Sequence, residues 1–259
     1  MCGRFALLAK RDLARDYLDL AELGDLPERY NIAPTQPILV VVAGERQEPG
    51  SNLPERKAML VRWGFMPGWV KDPRDFPLLI NARAETAIGK ASFRAAMRHR
   101  RVLVPASGFF EWRRPEGKGA KAQAYWIRPK KGEILAFAGL VETWSSADGS
   151  EVDTGAILTT AANNDIARIH DRMPVVIRRQ DFSRWLDCKT QEPREVADLM
   201  TPIDDGFFEA IPVSDKVGKV ANMGPDILEP VEERADEAPA EKKKGAEAPP
   251  SSSGQLSLF

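Results

Sequence analysis

Residues 101–112 read RVLVPASGFFEW, a run of β-branched and aromatic side chains that is typical of a β-strand. Six further segments have the same composition, so strands dominate the predicted fold. They are ILVVVAG (38–44), AMLVRWGF (58–65), AYWIRP (124–129), ILAFAGLVETW (134–144), GAILTT (155–160) and FFEAIPVS (207–214). The segment AYWIRPKKGEILAFAGL (124–140) predicts a hairpin that turns at residues 130–132.

The predicted helices are few and short. They are RDLARDYLDL (11–20), SFRAAMRHR (92–100), NDIARIH (164–170), DFSRWLDC (181–188) and REVADLM (194–200). Strands outnumber these helices and are joined mostly by short turns. We therefore predict an α+β fold, a single compact domain over residues 1–228 around a curved, mainly antiparallel, barrel-like sheet.

Composition narrows the classes of function. The chain has 259 residues, of which 43% are hydrophobic, enough for a substantial core. Cys2 and Cys188 are the two cysteines and cannot build a disulfide framework or a thiolate zinc site. With two histidines as well, the sequence predicts neither a metal site nor a cofactor. The start does not resemble a signal peptide, and no apolar run is long enough for a membrane span, so we expect a cytoplasmic monomer.

The composition changes after residue 228. Residues 229–254 contain no aromatic side chain and are rich in charge, proline and serine, which predicts a disordered linker. The last five residues, QLSLF (255–259), are apolar again. An apolar pentapeptide on a tether is typical of a short recognition motif.

Cys2 is the first candidate for chemistry. If Met1 is removed, this residue carries an α-amine and a thiol, whose ordinary pKa values are about 8 and about 8.5. A 1,2-aminothiol reacts with an aldehyde: the amine forms a Schiff base and the thiol closes a five-membered thiazolidine. The alternative is an incidental cysteine at a frayed end. For Cys188 we expect a buried structural thiol.

Glu111 and His170 are the candidate proton carriers. Glu111 lies between Phe110 and Trp112 after an apolar strand, so we expect its carboxyl to be desolvated and its pKa raised, as suits a general acid. A salt bridge or an exposed strand end is the alternative. His170, beside charged neighbours, is either an acid–base residue or a structural histidine.

Two further features suit a nucleic acid. Between residues 83 and 114 the chain holds eight Lys and Arg and two Glu, which indicates a phosphate surface or a solvated helix face. Trp69 and Pro34 could stack against bases, whereas Trp63 is expected in the core.

Six motifs then occur in a recognisable order: MCGRF, NIAPTQ, RWGFMPGW, NARAET, GFFEW and IHDRMPV. Together they resemble the SRAP family, the SOS-response-associated peptidase domain, over residues 2 to about 225. The resemblance implies a protein that loses Met1, through a proposed self-directed peptidase activity, and uses Cys2 to trap abasic sites in single-stranded DNA as a thiazolidine crosslink. The implied setting is the replicating nucleoid during DNA damage.

The resemblance also implies roles for individual residues. Asn81 would lie near the nucleophile and the sugar, and Glu111 and His170 would assist ring opening and proton transfer. Arg4 and Arg83 would contact phosphates, and Trp69 would pack beside the lesion. Lyase-like chemistry at the abasic site is a further implied activity.

The C-terminal QLSLF resembles the pentapeptide with which bacterial repair proteins bind the sliding clamp. Gln255, Leu256, Leu258 and Phe259 would be its contact residues. The alternative is a chance apolar terminus.

Two other classes of function stay open at this stage. In the first, Cys2 is the nucleophile of a thiol amidohydrolase or peptidase and its own amine is the base. In the second, the protein binds single strands without chemistry, with salt-sensitive affinity that is indifferent to abasic sites.

Overall fold

A computed structural model describes residues 2–45, 48–114, 121–132 and 134–234. The strands are β1 (Phe5–Leu7), β2 (Arg29–Ile32), β3 (Pro37–Ala43), β4 (Arg56–Trp63), β5 (Asn81–Arg83), β6 (Arg101–Ala106), β7 (Gly108–Arg113), β8 (Gln123–Pro129), β9 (Leu135–Ser145), β10 (Glu151–Ala161), β11 (Arg172–Pro174), β12 (Val176–Ile177) and β13 (Phe208–Val213). The α-helices are α1 (Arg11–Leu18), α2 (Ala84–Ala87), α3 (Arg94–His99) and α4 (Phe182–Leu186). Five short 3-10 helices begin at Pro73, Arg179, Ala197, Asp215 and Pro225.

The strands form two sheets. One is antiparallel, in the order β13-β8-β7-β1-β2. In the other, β10, β4, β3, β6 and β9 close into a five-stranded barrel, because β9 also pairs with β10. Neighbours in this ring are antiparallel except β10 and β4. The predicted α+β fold with a curved, mainly antiparallel, barrel-like sheet is confirmed.

Alternating side chains divide the core into layers. On β6, Val102 and Val104 join a cluster shared by both sheets, whereas Leu103 joins a second cluster under the helices. On β7, Phe109 faces the shared cluster and Phe110 faces a third cluster on the outer side of the antiparallel sheet. This period of two is what a strand buried on both faces requires. Trp63 is fully buried, as predicted.

The stretch 101–112 is two strands rather than one. The chain leaves the barrel sheet at Ser107, whose amide donates to Ala6 O at 2.7 Å and whose hydroxyl accepts from Leu8 N at 2.9 Å. Gly108 follows where the backbone passes too close to Ile127 for a side chain, since an added Cβ would lie 2.4 Å from its carbonyl oxygen. Strand propensity alone does not show where a chain changes sheet.

The predicted hairpin at 124–140 is wrong. Its two strands exist, but β8 pairs with β7 and β13, while β9 pairs with β6, β10 and β12. The turn at residues 130–132 carries the chain from one sheet to the other. Residues 164–169 form turns rather than the predicted helix, and only Ala197–Met200 of the segment 194–200 is helical, as a 3-10 turn.

The basic stretch 83–114 does not form one surface. Arg101 is buried and donates to four backbone carbonyl groups, among them Trp185 O at 2.7 Å. Arg100 pairs with Glu142 and Arg98 with Glu192.

Cys188 is half-buried rather than buried. No helix in the described ranges is long and apolar enough to cross a membrane.

Residues 229–234, assigned to the linker above, lie against the antiparallel sheet: Val231 N donates to Pro212 O at 2.9 Å. The remaining linker and the pentapeptide 255–259 lie outside the described residues.

Candidate functional site around Cys2

Cys2 lies three residues before the start of β1 and is fully buried in the cluster between the two sheets. Its Sγ is 3.9 Å from Arg4 O. Burial raises the pKa of the thiol far above its ordinary value, and the negative charge of Glu111 raises it further. The thiol is therefore protonated in the resting protein.

Asn81 holds the main chain of Cys2. It is the first residue of β5, which pairs with β10 so that Asn81 lies opposite Ile157. Its Nδ2 donates to Cys2 O at 2.9 Å. Its Oδ1 is buried and has no hydrogen-bond partner within the described part of the chain. Because an unpaired buried acceptor is costly, it marks a place where a ligand donor would fit.

Glu111 lies on β7 and is only 3% exposed. Burial raises the pKa of its carboxyl, and the nearby His170 opposes that rise. The predicted desolvation and raised pKa are confirmed, but the aromatic residue next to Glu111 in sequence is not what buries it. Phe110 packs on the opposite face of the strand, and the desolvation comes from the face that Glu111 shares with Phe109.

His170 follows the turns at 164–169. Its Nδ1 accepts from Arg172 N at 2.9 Å, and Asp171 Oδ1 lies 2.9 Å from the same atom. The two contacts require different states of Nδ1, because this atom accepts from the Arg172 amide only without a proton and donates to Asp171 only with one. Arg172 is fixed in turn by a two-pronged pair with Glu85 at 2.6 and 2.9 Å.

The two predicted phosphate contacts differ in their surroundings. Arg83 is exposed at the end of β5, two residues beyond Asn81 and on the same face. Arg4 is half-buried and donates to Asn31 Oδ1 at 2.9 Å, Val217 O at 2.7 Å and Gly218 O at 3.0 Å. It therefore anchors the 3-10 turn at 215–218 beside β1 and β2.

The predicted stacking residues lie on two loops. Trp69 is 62% exposed and packs edge-on against Phe76, with ring centroids 5.5 Å apart, in the loop that leads from β4 to Asn81. Pro34 is half-buried in a turn between β2 and β3. In that turn Thr35 has φ +72° and donates to Trp63 O at 2.7 Å. A β-branched residue in the left-handed region stores strain, which nothing in the sequence predicts.

Over the described ranges, no group of three or more His, Cys, Asp or Glu is placed to hold a metal ion. Two cavities of about 530 and 520 Å³ lie elsewhere, one beside Cys188 and one beside Trp126. Neither is lined by Cys2, Asn81, Glu111 or His170. A buried thiol, a buried carboxyl with a raised pKa and an amide oxygen without a partner among the described residues together distinguish the site.

Comparison with known families defines the class of protein. The family model of the SOS response associated peptidase (SRAP) matches residues 1–220. The chain belongs to this family, and the resemblance drawn from six sequence motifs is confirmed.

The relatives include the abasic site processing protein YoqW of Bacillus subtilis (strain 168), which is 35% identical over 88% of this chain and 99% of its own length. The abasic site processing protein YedK of Escherichia coli (strain K12) is 34% identical over 89% of this chain and 100% of its own. The abasic site processing protein HMCES of Rattus norvegicus is 29% identical, covering 90% and 76% of the two chains. A crystal structure of a Bacteroides thetaiotaomicron protein matches with a TM-score of 0.74 and 26% identity, over 89% of this chain and 100% of that one.

Proposed function

We propose that this protein traps abasic sites in single-stranded DNA as a covalent thiazolidine on Cys2, after removal of Met1, and so protects the lesion during replication. The observation that carries the proposal is the convergence on Cys2 of Asn81, which binds its carbonyl group at 2.9 Å, and of Glu111, whose charge acts on its thiol. The names of the relatives, which are abasic site processing proteins, support the substrate class.

The atoms balance in each step of the proposed reaction. Hydrolysis of the peptide bond between Met1 and Cys2 consumes one water and frees the α-amine, as the family's peptidase label suggests. The amine attacks the aldehyde carbon of the ring-opened deoxyribose, a C–N bond forms, and one water leaves to give the Schiff base. Sγ then adds to that carbon, an S–C bond forms, and the thiol proton passes to the nitrogen. The adduct is one water lighter than its reactants.

The surrounding residues would move the protons and fix the geometry. Burial raises the pKa of Glu111, which favours its role as the group that delivers a proton to a sugar oxygen or to the departing water. His170 is the second proton carrier. Asn81 fixes the direction of the Cys2 main chain through Nδ2, and its Oδ1 can accept from a sugar hydroxyl.

The raised pKa of the Cys2 thiol supports an order in which the amine reacts before the thiol. A protonated thiol is a poor nucleophile, so the amine reacts first. The cationic Schiff base then forms next to Sγ and lowers its pKa, and closure within one residue is intramolecular. The same resting state counts against a thiol amidohydrolase, which needs an activated thiolate before substrate attack.

The DNA strand would run past the exposed end of β5. Arg83 would pair with a phosphate beside the lesion, and Arg4 retains N–H groups beyond its three internal bonds for a second one. Trp69 and Pro34 would pack against the bases that flank the abasic site.

The test is crosslinking of a single-stranded oligonucleotide that carries one abasic site. We expect Cys2→Ala to abolish the heat-stable adduct, and Cys2→Ser to leave only a Schiff base that borohydride traps. Cys188→Ser, the same type of change at the other cysteine, should crosslink like the parent. A heat-stable adduct of full yield with Cys2→Ala would refute the thiazolidine. Turnover of an amide substrate without DNA would favour the amidohydrolase.

For the tail we propose that Gln255, Leu256, Leu258 and Phe259 bind the sliding clamp and bring the domain to the replicating nucleoid. Deleting 255–259 should remove clamp binding in a pull-down with purified clamp and leave crosslinking intact. Equal clamp binding by the truncated protein would overturn this proposal.

A further inference from the structure

A cluster of two arginines and a tyrosine lies on the elements that carry the candidate site. Its members are Arg113, Tyr125 and Arg168. Tyr125 on β8 pairs directly with Glu111 across the sheet, and Arg113 follows two residues later on the same face of β7. Arg168 precedes His170 by two residues. A ligand held by this cluster would therefore lie beside the proposed reaction centre.

The two guanidinium groups gather at one ring. The Arg113 Cζ lies 5.7 Å from the centroid of the Tyr125 ring, and the Arg168 Cζ lies 5.5 Å from it. Two cations at one ring repel each other, so the arrangement favours an anion between them. The Tyr125 side chain is buried, and burial together with its hydrogen bond raises the pKa of the hydroxyl to about 12, so it stays a donor.

An anion from the chain itself occupies the cluster. Glu233 Oε1 accepts from Arg113 Nη1 at 2.7 Å, from Arg168 Nη1 at 3.1 Å and from the Tyr125 hydroxyl. Three donors thus converge on one carboxylate oxygen. The Glu233 side chain is still 36% exposed, so it covers the cluster from the solvent side.

Glu233 belongs to a strap, residues 230–234, that lies on the antiparallel sheet. Val231 N donates to Pro212 O at 2.9 Å, and Arg234 pairs with Asp215 at 2.7 Å. Arg234 also donates to Ala122 O at 2.7 Å and to Gln123 Oε1 at 3.3 Å. Detachment of the strap would break these hydrogen bonds and open the cluster.

We propose that Arg113, Arg168 and Tyr125 form a subsite for a phosphodiester group of the DNA strand, and that Glu233 fills this subsite in the unbound protein as an intramolecular competitor. The inference rests on the proposed function. A phosphodiester carries one negative charge and two free oxygens, as a carboxylate does, and arginine binds either with charge-assisted hydrogen bonds. DNA and the strap then compete for the same donors, so DNA binding releases the strap.

DNA binds this subsite only in molecules whose strap is detached. The apparent affinity for DNA is therefore the intrinsic affinity multiplied by the detached fraction. If the strap is docked in about nine molecules of ten, its removal tightens binding about tenfold. Glu233→Gln should produce this gain, since it removes the charge that competes with phosphate. Glu232→Gln is the matched control, because it removes the same charge from an exposed neighbour on the same strap.

The experiment measures fluorescence anisotropy of an undamaged single-stranded oligonucleotide with the full-length protein. We expect Glu233→Gln to bind about tenfold more tightly than Glu232→Gln. Arg168→Gln should weaken binding, flatten the salt dependence and abolish the gain from Glu233→Gln in the double variant, because donor and competitor act at one place. Equal affinities of the two Glu variants, or a gain that persists without Arg168, would overturn the proposal, as would a change in thermal stability without a change in affinity.

Crosslinking to an abasic oligonucleotide at saturating concentration separates this inference from the proposed function. Normal crosslinking with equal affinities of the Glu variants would reject the subsite alone. Loss of crosslinking in every variant, with the affinity difference retained, would reject the thiazolidine and leave the phosphate subsite standing.

Discussion

Replacement of Asn81 by Ala should separate stability from activity. In the folded protein the Asn81 side chain gains one hydrogen bond, from Nδ2 to Cys2 O at 2.9 Å, and leaves Oδ1 buried without a partner in the described residues. The hydrogen bond contributes about 1 kcal/mol to the free energy of unfolding, and the unpaired acceptor costs about as much. The two effects offset each other, so we expect the free energy of unfolding to change by less than about 1 kcal/mol.

The rate of crosslinking should respond differently. Without Asn81 the Cys2 main chain loses its anchor and the sugar loses an acceptor, and the loss of one positioned hydrogen-bonding group commonly lowers a rate by about a hundredfold. Urea denaturation measures the first quantity, and single-turnover crosslinking of an abasic oligonucleotide, resolved on a denaturing gel, measures the second.

A matched control is Thr201→Ala, which also deletes one side-chain hydrogen bond to a carbonyl, from Oγ1 to Asp198 O at 2.9 Å. That variant should crosslink at the parental rate. The reasoning would be refuted if Asn81→Ala unfolded several kcal/mol more easily and lost activity only in proportion to its unfolded fraction, or if its rate were unchanged.

Two further changes test the buried carboxyl and the exposed aromatic. Because burial raises the folded-state pKa of Glu111, its contribution to stability is fully present below the ordinary value of about 4.3 and is lost as pH rises through the raised value. Glu111→Gln should therefore gain stability relative to the parent as pH rises above this ordinary value in urea denaturation, and a constant difference would contradict the raised pKa. Trp69→Ala should weaken binding of single-stranded DNA about tenfold, judged by anisotropy, with a stability change below about 0.5 kcal/mol because the ring is 62% exposed. Trp63→Ala should instead destabilise the fold by about 3–5 kcal/mol, and equal DNA affinity of Trp69→Ala and the parent would exclude stacking.

The sequence predicts the strands well because strand composition is a local property, but it does not predict their partners. Residues 101–112 and 124–140 have the composition of strands, and both stretches cross from one sheet to the other. The crossing at Ser107 depends on hydrogen bonds to residues 6 and 8, which lie about a hundred positions away. Such distant partners leave no local pattern.

In the candidate site too, the sequence identifies the residues but not the contacts between them. Cys2, Glu111 and His170 are recognisable from residue type and position, and the resemblance supplied the role of Asn81. The contact of Asn81 with Cys2 depends on the pairing of β5 with β10. The contact of Tyr125 with Glu233 depends on the strap 230–234, which is distant in sequence. Arg4 is predicted as a phosphate contact, but in the structure it already donates to three acceptors within the protein. No sequence motif reveals these acceptors.

The central claim is a covalent bond between Cys2 and an abasic site, and intact mass spectrometry tests it most directly. The purified protein would be incubated with a single-stranded oligonucleotide carrying one abasic site, and the adduct would be digested to locate the linkage. The account predicts the mass of the protein without Met1, plus the oligonucleotide, minus one water, stable to heat and located at Cys2. Retention of Met1 in the adduct, linkage at another residue, or the absence of any adduct would contradict it.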